Sequence, residues 1–167
     1  MPDHDHKISR RKLLAFTGAT AGLATIGSAF QEKPTRPPAL PLELVRDFVG
    51  AGHGNLDKVK SMLDEHPTLL NATYDWSNGD FETAIGGAGH MGRADIADFL
   101  IGKGARADIF VYTMLGDKAI VEALIKRNPN LISSKGPHGI SLLRHAEMGK
   151  ERAAELHAWL VEKGAKS

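Results

Sequence analysis

A four-residue signature recurs along this chain: Gly50-Ala51-Gly52-His53 returns as Gly87-Ala88-Gly89-His90, an offset of 37 residues. Self-similarity on that scale constrains the fold more than any local propensity, because such units form arrays in which each leans on the next. After each copy come a glycine (Gly54, Gly92), a short polar stretch and apolar residues at helical spacing. The first stripe is Val59, Met62 and Leu63; the second is Ile96, Phe99 and Leu100. A third unit carries Gly116-Asp117 followed by Ile120, Val121, Leu124 and Ile125, and a last one carries Leu156, Trp159, Leu160 and Val161. Each set gives one apolar face on a short helix.

The helix exits repeat as well. Leu100-Ile101-Gly102-Lys103-Gly104-Ala105 is matched by Leu160-Val161-Glu162-Lys163-Gly164-Ala165, with glycine where a helix needs a left-handed stop. The other exits are Glu65-His66-Pro67 and Arg127-Asn128-Pro129, where proline removes an N–H and restricts its predecessor. Asp108–Tyr112 is the one strand-like run, and its place in the repeat predicts that it opens the first helix of the third unit.

The second unit, Gly79–Ala107, resembles the ankyrin-repeat family at Thr83, Ile85, Ala88, Gly92, Asp95, Ile96, Leu100, Ile101, Gly104 and Ala105. It departs from the family pattern at Ala84, Gly86 and Arg106, where proline, histidine and aspartate are usual. Thr83 still has the chemistry to cap the helix behind it. The fourth unit keeps Gly139 and Ser141 but has Leu142-Leu143-Arg144 in place of Pro-Leu-His. Marker glycines at 54, 92, 116 and 149 are spaced by 38, 24 and 33 residues, against a family period of about 33. The resemblance implies an all-α, ankyrin-type solenoid of helix pairs over residues 42–167, dividing near 42–73, 74–107, 108–135 and 136–167. It also implies a monomer that binds a protein partner through projecting loops and first helices.

Ahead of the repeats, Ser9-Arg10-Arg11-Lys12-Leu13-Leu14 precedes an uncharged stretch that ends in Gly27-Ser28-Ala29. Three glycines and three threonines within Leu13–Ala29 make it a poor permanent membrane helix. Arg10 and Arg11 in this setting resemble a twin-arginine signal, which implies residues 1–29 as a cleaved signal peptide and export to the periplasm of a bacterium. Residues 30–41 read as a linker, since four of the eight prolines stand between Gln31 and Pro41. The first 29 residues hold four basic and two acidic side chains, leaving 17 basic against 18 acidic residues in the remainder. A body so close to neutral carries no footprint for nucleic acid. With no cysteine, disulfides and thiolate chemistry are excluded.

Candidate binding residues cluster in the long connection Asn71–Glu82, where Tyr74, Trp76 and Phe81 stand beside Asp75 and Asp80. Exposed aromatics of this kind anchor protein interfaces, although they can also fold back over the solenoid edge. His90, Lys135 and His138 complete the expected partner-binding set. Glycines 86, 87, 89 and 92 around His90 predict close helix packing rather than a ligand against backbone. His53, His90, His138 and His145 can converge with Lys135 and Asp75 into a metal or anion pocket. No pair has a ligand spacing such as H-E-x-x-H, so no metal and no cofactor are expected. The chain contains no phosphate-binding loop, nucleophile elbow or dinucleotide fingerprint, which points to a non-catalytic protein. A small-molecule or metal-binding protein, and a structural or immunity-like protein, are the alternatives to a protein-interaction module.

Overall fold

The computed structural model describes residues 36–167, and within them each apolar stripe of the sequence lies on a helix. The signal-peptide reading of residues 1–29, with Arg10 and Arg11, lies outside the described residues, as does the first half of the linker, residues 30–35. In chain order the helices are α1 (Leu42–Gly52), α2 (Leu56–Glu65), α3 (Ala84–His90), α4 (Ala94–Gly102), α5 (Ile109–Leu115), α6 (Lys118–Arg127), α7 (Leu142–Met148) and α8 (Ala154–Glu162). A small hairpin, β1 (Thr73–Asp75) and β2 (Phe81–Thr83), stands between α2 and α3.

Local chemistry sets where these helices begin. The side chains of Asn55, Thr83, Asp108 and Ser141 accept the backbone N–H of Lys58, Gly86, Val111 and Arg144 at 2.9, 3.1, 3.0 and 3.2 Å. Each bond satisfies a donor that a helix's first turn leaves without a partner, worth about 1 kcal/mol. The exits follow the sequence too: Gly104 and Gly164 take left-handed φ of +90° and +84°, and Pro67 and Pro129 convert the chain into 3-10 turns. Asp108–Tyr112 opens α5 as expected. The Asn71–Glu82 connection is more ordered than a loop. Thr73 pairs with Thr83, Tyr74 with Glu82 and Asp75 with Phe81, around a turn in which Asn78 and Gly79 both have positive φ.

α1, α3, α5 and α7 pack against one another in that order, and α2, α4, α6 and α8 each pack on the helix before them. Such short helices cannot bury an apolar stripe alone, so neighbouring pairs supply the cover. The glycines of α3 belong to this packing. A Cβ on Gly52 of α1 would run into the Ala84 backbone, and one on Gly89 would reach Val111 at 3.4 Å. Two apolar clusters result. The larger joins α1 to α5 around Phe48, Ile96, Leu100 and Met114; the smaller joins Ile109 and Val121 to Leu142, Leu156 and Leu160.

His145 is a structural part of that second seam. Its ring is buried beside Phe110, and its Nδ1 lies 2.8 Å from the Ser141 carbonyl. Burial pushes its pKa down, outweighing the opposing pull of the Ser141 bond. The folded state therefore resists a proton that the unfolded chain accepts near pH 6.5, so His145 lowers stability as pH falls below that value. In melts of metal-free protein between pH 7.5 and 5.5, a folded His145→Gln variant should lose less stability than the parent. Equal slopes would refute the assignment.

Candidate metal centre

Four segments deliver donors to one point beside the hairpin. His53 follows the last residue of α1, Glu82 is the middle residue of β2, His90 ends α3, and His138 is in a 3-10 turn (Pro137–Gly139) ahead of α7. One donor atom from each lies within 4.8 Å of the other three. Repetition explains half of this arrangement. His53 and His90 occupy equivalent places in consecutive units, so stacking of α1 on α3 brings their Nε2 atoms to 3.2 Å. Gly87 makes room, because a Cβ there would meet the His53 ring at 2.9 Å.

Glu82 is the centre of the cluster. Its side chain is 0% exposed, because β2 alternates and turns its middle residue inward. Oε1 lies 2.8 Å from His90 Nε2 and 3.5 Å from His138 Nε2. Oε2 lies 3.3 Å from His53 Nε2 and accepts the Trp76 indole N–H at 2.6 Å. Burial pushes the Glu82 pKa up, but the bond from His90, the charge of His53 and the Trp76 bond together hold it below the ordinary value. The carboxylate is thus ionised at neutral pH. The stability it adds is present above its usual range and is lost as pH falls through the lowered one.

Partners outside the cluster orient the rings. His53 Nδ1 is 3.2 Å from the Val49 carbonyl, and a carbonyl can only accept, so Nδ1 carries a proton and, in the neutral ring, Nε2 turns a lone pair inward. His138 Nδ1 donates to Asp80 Oδ2 at 2.6 Å, while its backbone N–H donates to Oδ1 at 2.8 Å. In the neutral ring its Nε2 lone pair therefore also faces Glu82. These backbone and carboxylate partners match the second ring of contacts that positions metal-binding imidazoles. The Asp80 carboxyl is held below its ordinary pKa, first by that backbone N–H. With both rings neutral, two lone pairs and a carboxylate face one point, and they repel one another unless a proton or a metal ion lies among them.

The spacing suits such a cation. With metal–nitrogen and metal–oxygen bonds of about 2.0–2.2 Å, donors around a tetrahedral ion stand about 3.3 Å apart. Around Glu82 Oε1 the separations of 2.8 and 3.5 Å, and the 3.2 Å between the His53 and His90 nitrogens, lie near that value, and all four donors lie within 4.8 Å of one another. Three imidazoles, one carboxylate and no sulfur favour a divalent first-row transition metal over calcium, magnesium or copper(I). Replacing Gly87 by Val should push the His53 ring out and weaken metal binding about 10-fold or more, by analogy with the loss of an orienting contact. Titration calorimetry on the folded variant measures this; parental affinity would show that the ring needs no such space.

The residues named from the sequence divide among several roles. His53, His90 and His138 come together as one of the weighed alternatives anticipated, and Trp76 and Asp80 support them. His145 is buried in the second seam. Lys135 is exposed and bridges Ser141 through its backbone. Asp75 accepts the Gly79 N–H within the hairpin turn. Tyr74 packs edge-on against Trp76 at 4.9 Å, whereas Phe81 is 61% exposed. The expectation of no metal rested on the lack of a ligand spacing, and these donors come from segments too far apart to show one. Glu82 was not singled out, since nothing in Phe-Glu-Thr marks a buried carboxylate. Trp76 also lines a cavity of about 380 Å³, together with Arg46, Asn55 and Lys58 among others. No family model and no curated protein matches the chain.

Proposed function

We propose that this chain is an ankyrin-type repeat protein whose working site is a divalent transition-metal centre formed by His53, Glu82, His90 and His138. One observation carries the reading: a fully buried carboxylate is surrounded by three imidazole nitrogens, in rings of which at least two are oriented by outside partners to turn Nε2 toward it. Burying that carboxylate is unfavourable unless positive charge is held beside it, and a metal ion supplies that charge with the donors already in place. The repeat reading is supported by the consecutive packing of α1, α3, α5 and α7. The order of elements also agrees, with a hairpin projecting ahead of the helix pair α3–α4.

Metal analysis of the purified domain after dialysis against zinc or cobalt tests the centre. We expect one ion per chain, with affinity reduced about 100-fold or more in Glu82→Gln and in His138→Ala, each of which removes a ligand whose supporting contacts alone are worth 10–100-fold. A folded parent that retains no metal above background would overturn the reading.

A protein-interaction role is the second reading, and Phe81 favours it. An aromatic side chain left 61% exposed on the same hairpin suits an interface anchor. Cross-linking in envelope extract should give an adduct that Phe81→Ala loses; the same adduct with both chains would remove this reading. Export rests on Arg10 and Arg11: replacing both by Lys should retain the protein in the cytoplasm, and unchanged export would refute it.

A further inference from the structure

We propose that the metal at this centre keeps a solvent-facing coordination position that takes a small monovalent anion, on the side of His53 and His138. The inference rests on the metal reading above and adds that the ion is an exchanging centre rather than a closed structural one.

Uneven burial of the donors is the first support. The side chains of Glu82 and His90 are 0% and 8% exposed, whereas those of His53 and His138 are 27% and 33% exposed. Protein therefore closes one side of the ion and leaves the other toward water. The rings of His53 and His138 are 6.5 Å apart between centroids, and Trp76 stands 6.0 and 6.3 Å from them, so packed aromatic rings border this exposed side.

Hydrogen bonding supplies the second support. The Trp76 indole N–H occupies Glu82 Oε2 at 2.6 Å, and an oxygen engaged in that way is a poor second ligand. Glu82 then contributes Oε1, and the protein offers three nitrogens and one oxygen. Four donors complete a tetrahedral zinc shell but do not fill the five- or six-coordinate shells open to cobalt, iron, manganese or nickel. Charge gives the class of ligand. Glu82 offsets one of the ion's two positive charges, and Asp80 is already engaged by His138 through both oxygens. A monovalent anion neutralises the remaining charge.

The cobalt(II)-loaded full chain tests this by its visible absorption. Sodium azide should shift the cobalt bands and lower their intensity, saturating at one anion per metal; acetate should compete. Bound cobalt whose bands do not respond to azide would overturn the open position while leaving the metal centre intact. A folded chain that gives no cobalt spectrum would sink the metal reading, and this inference with it. Trp76→Phe supplies a second measurement: it frees Oε2 to chelate the metal and should weaken azide binding relative to the parent. Equal or tighter azide binding in that variant would remove the role given to the indole.

Discussion

Adding zinc to the metal-free domain should raise its melting temperature by on the order of 10 °C or more, and a chelator should reverse the gain. Size and sign follow from where the ligands lie. His53 closes α1, Glu82 is in β2, His90 closes α3, and His138 precedes α7, so the binding point exists only when these segments are packed. An ion that binds the folded state alone stabilises it by about 4 kcal/mol at 1,000 times its dissociation constant. For a domain of this size each kcal/mol moves the midpoint by about 3–6 °C. The gain should shrink as pH falls, because the imidazole nitrogens must release protons to ligate. Glu82→Gln should cut the shift to a small fraction of the parental value while leaving the helical circular dichroism in place. A zinc-loaded parent that melts at its metal-free temperature would show that the donors do not act as one site in the folded chain.

The same residues show how much of this could be read without coordinates. Helix pairs were legible because their signals are local: Asn55, Thr83, Asp108 and Ser141 cap the turns that follow them, and Gly104 and Gly164 stop the helices behind them. Half the site was legible for a different reason. Identical positions in adjacent units stack, so the repeated Gly-Ala-Gly-His already implied that His53 and His90 meet. Grouping His145 with them ignored helical phase. Counted from its cap, Ser141, it occupies the place that Gly87 holds after Thr83, whereas His90 corresponds to Met148. It therefore faces the seam one turn earlier and bonds back to its own helix. Glu82 was out of reach, and His138 could be named as a candidate but not placed. A buried carboxylate in a three-residue strand has no periodic signature, and His138 arrives through a contact with Asp80, 58 residues away, set by how the units pack.

Leu156→Ala should remove about 2–5 kcal/mol, the usual cost of emptying a buried leucine site, and the loss should be local. Leu156 is 1% exposed at the centre of the smaller cluster, with Val121, Leu142 and Leu160, while α1 to α4 pack in the larger one. In a row of pairs, stability is a sum of units and the seams between them, so the terminal pair is the first to open. Hydrogen exchange on the metal-free variant should show α7 and α8 opening much faster, with protection retained in α1, α3 and α4. The turn that carries His138 leads directly into α7, so fraying there also withdraws one ligand. Metal affinity should fall with the terminal pair, and by linkage bound metal should restore protection to α7. Uniform loss of protection along the chain would mean a single cooperative unit. Fast exchange in α7 and α8 with unchanged metal affinity would mean that His138 contributes nothing to binding, and the ion would then be held by the three donors from α1, β2 and α3.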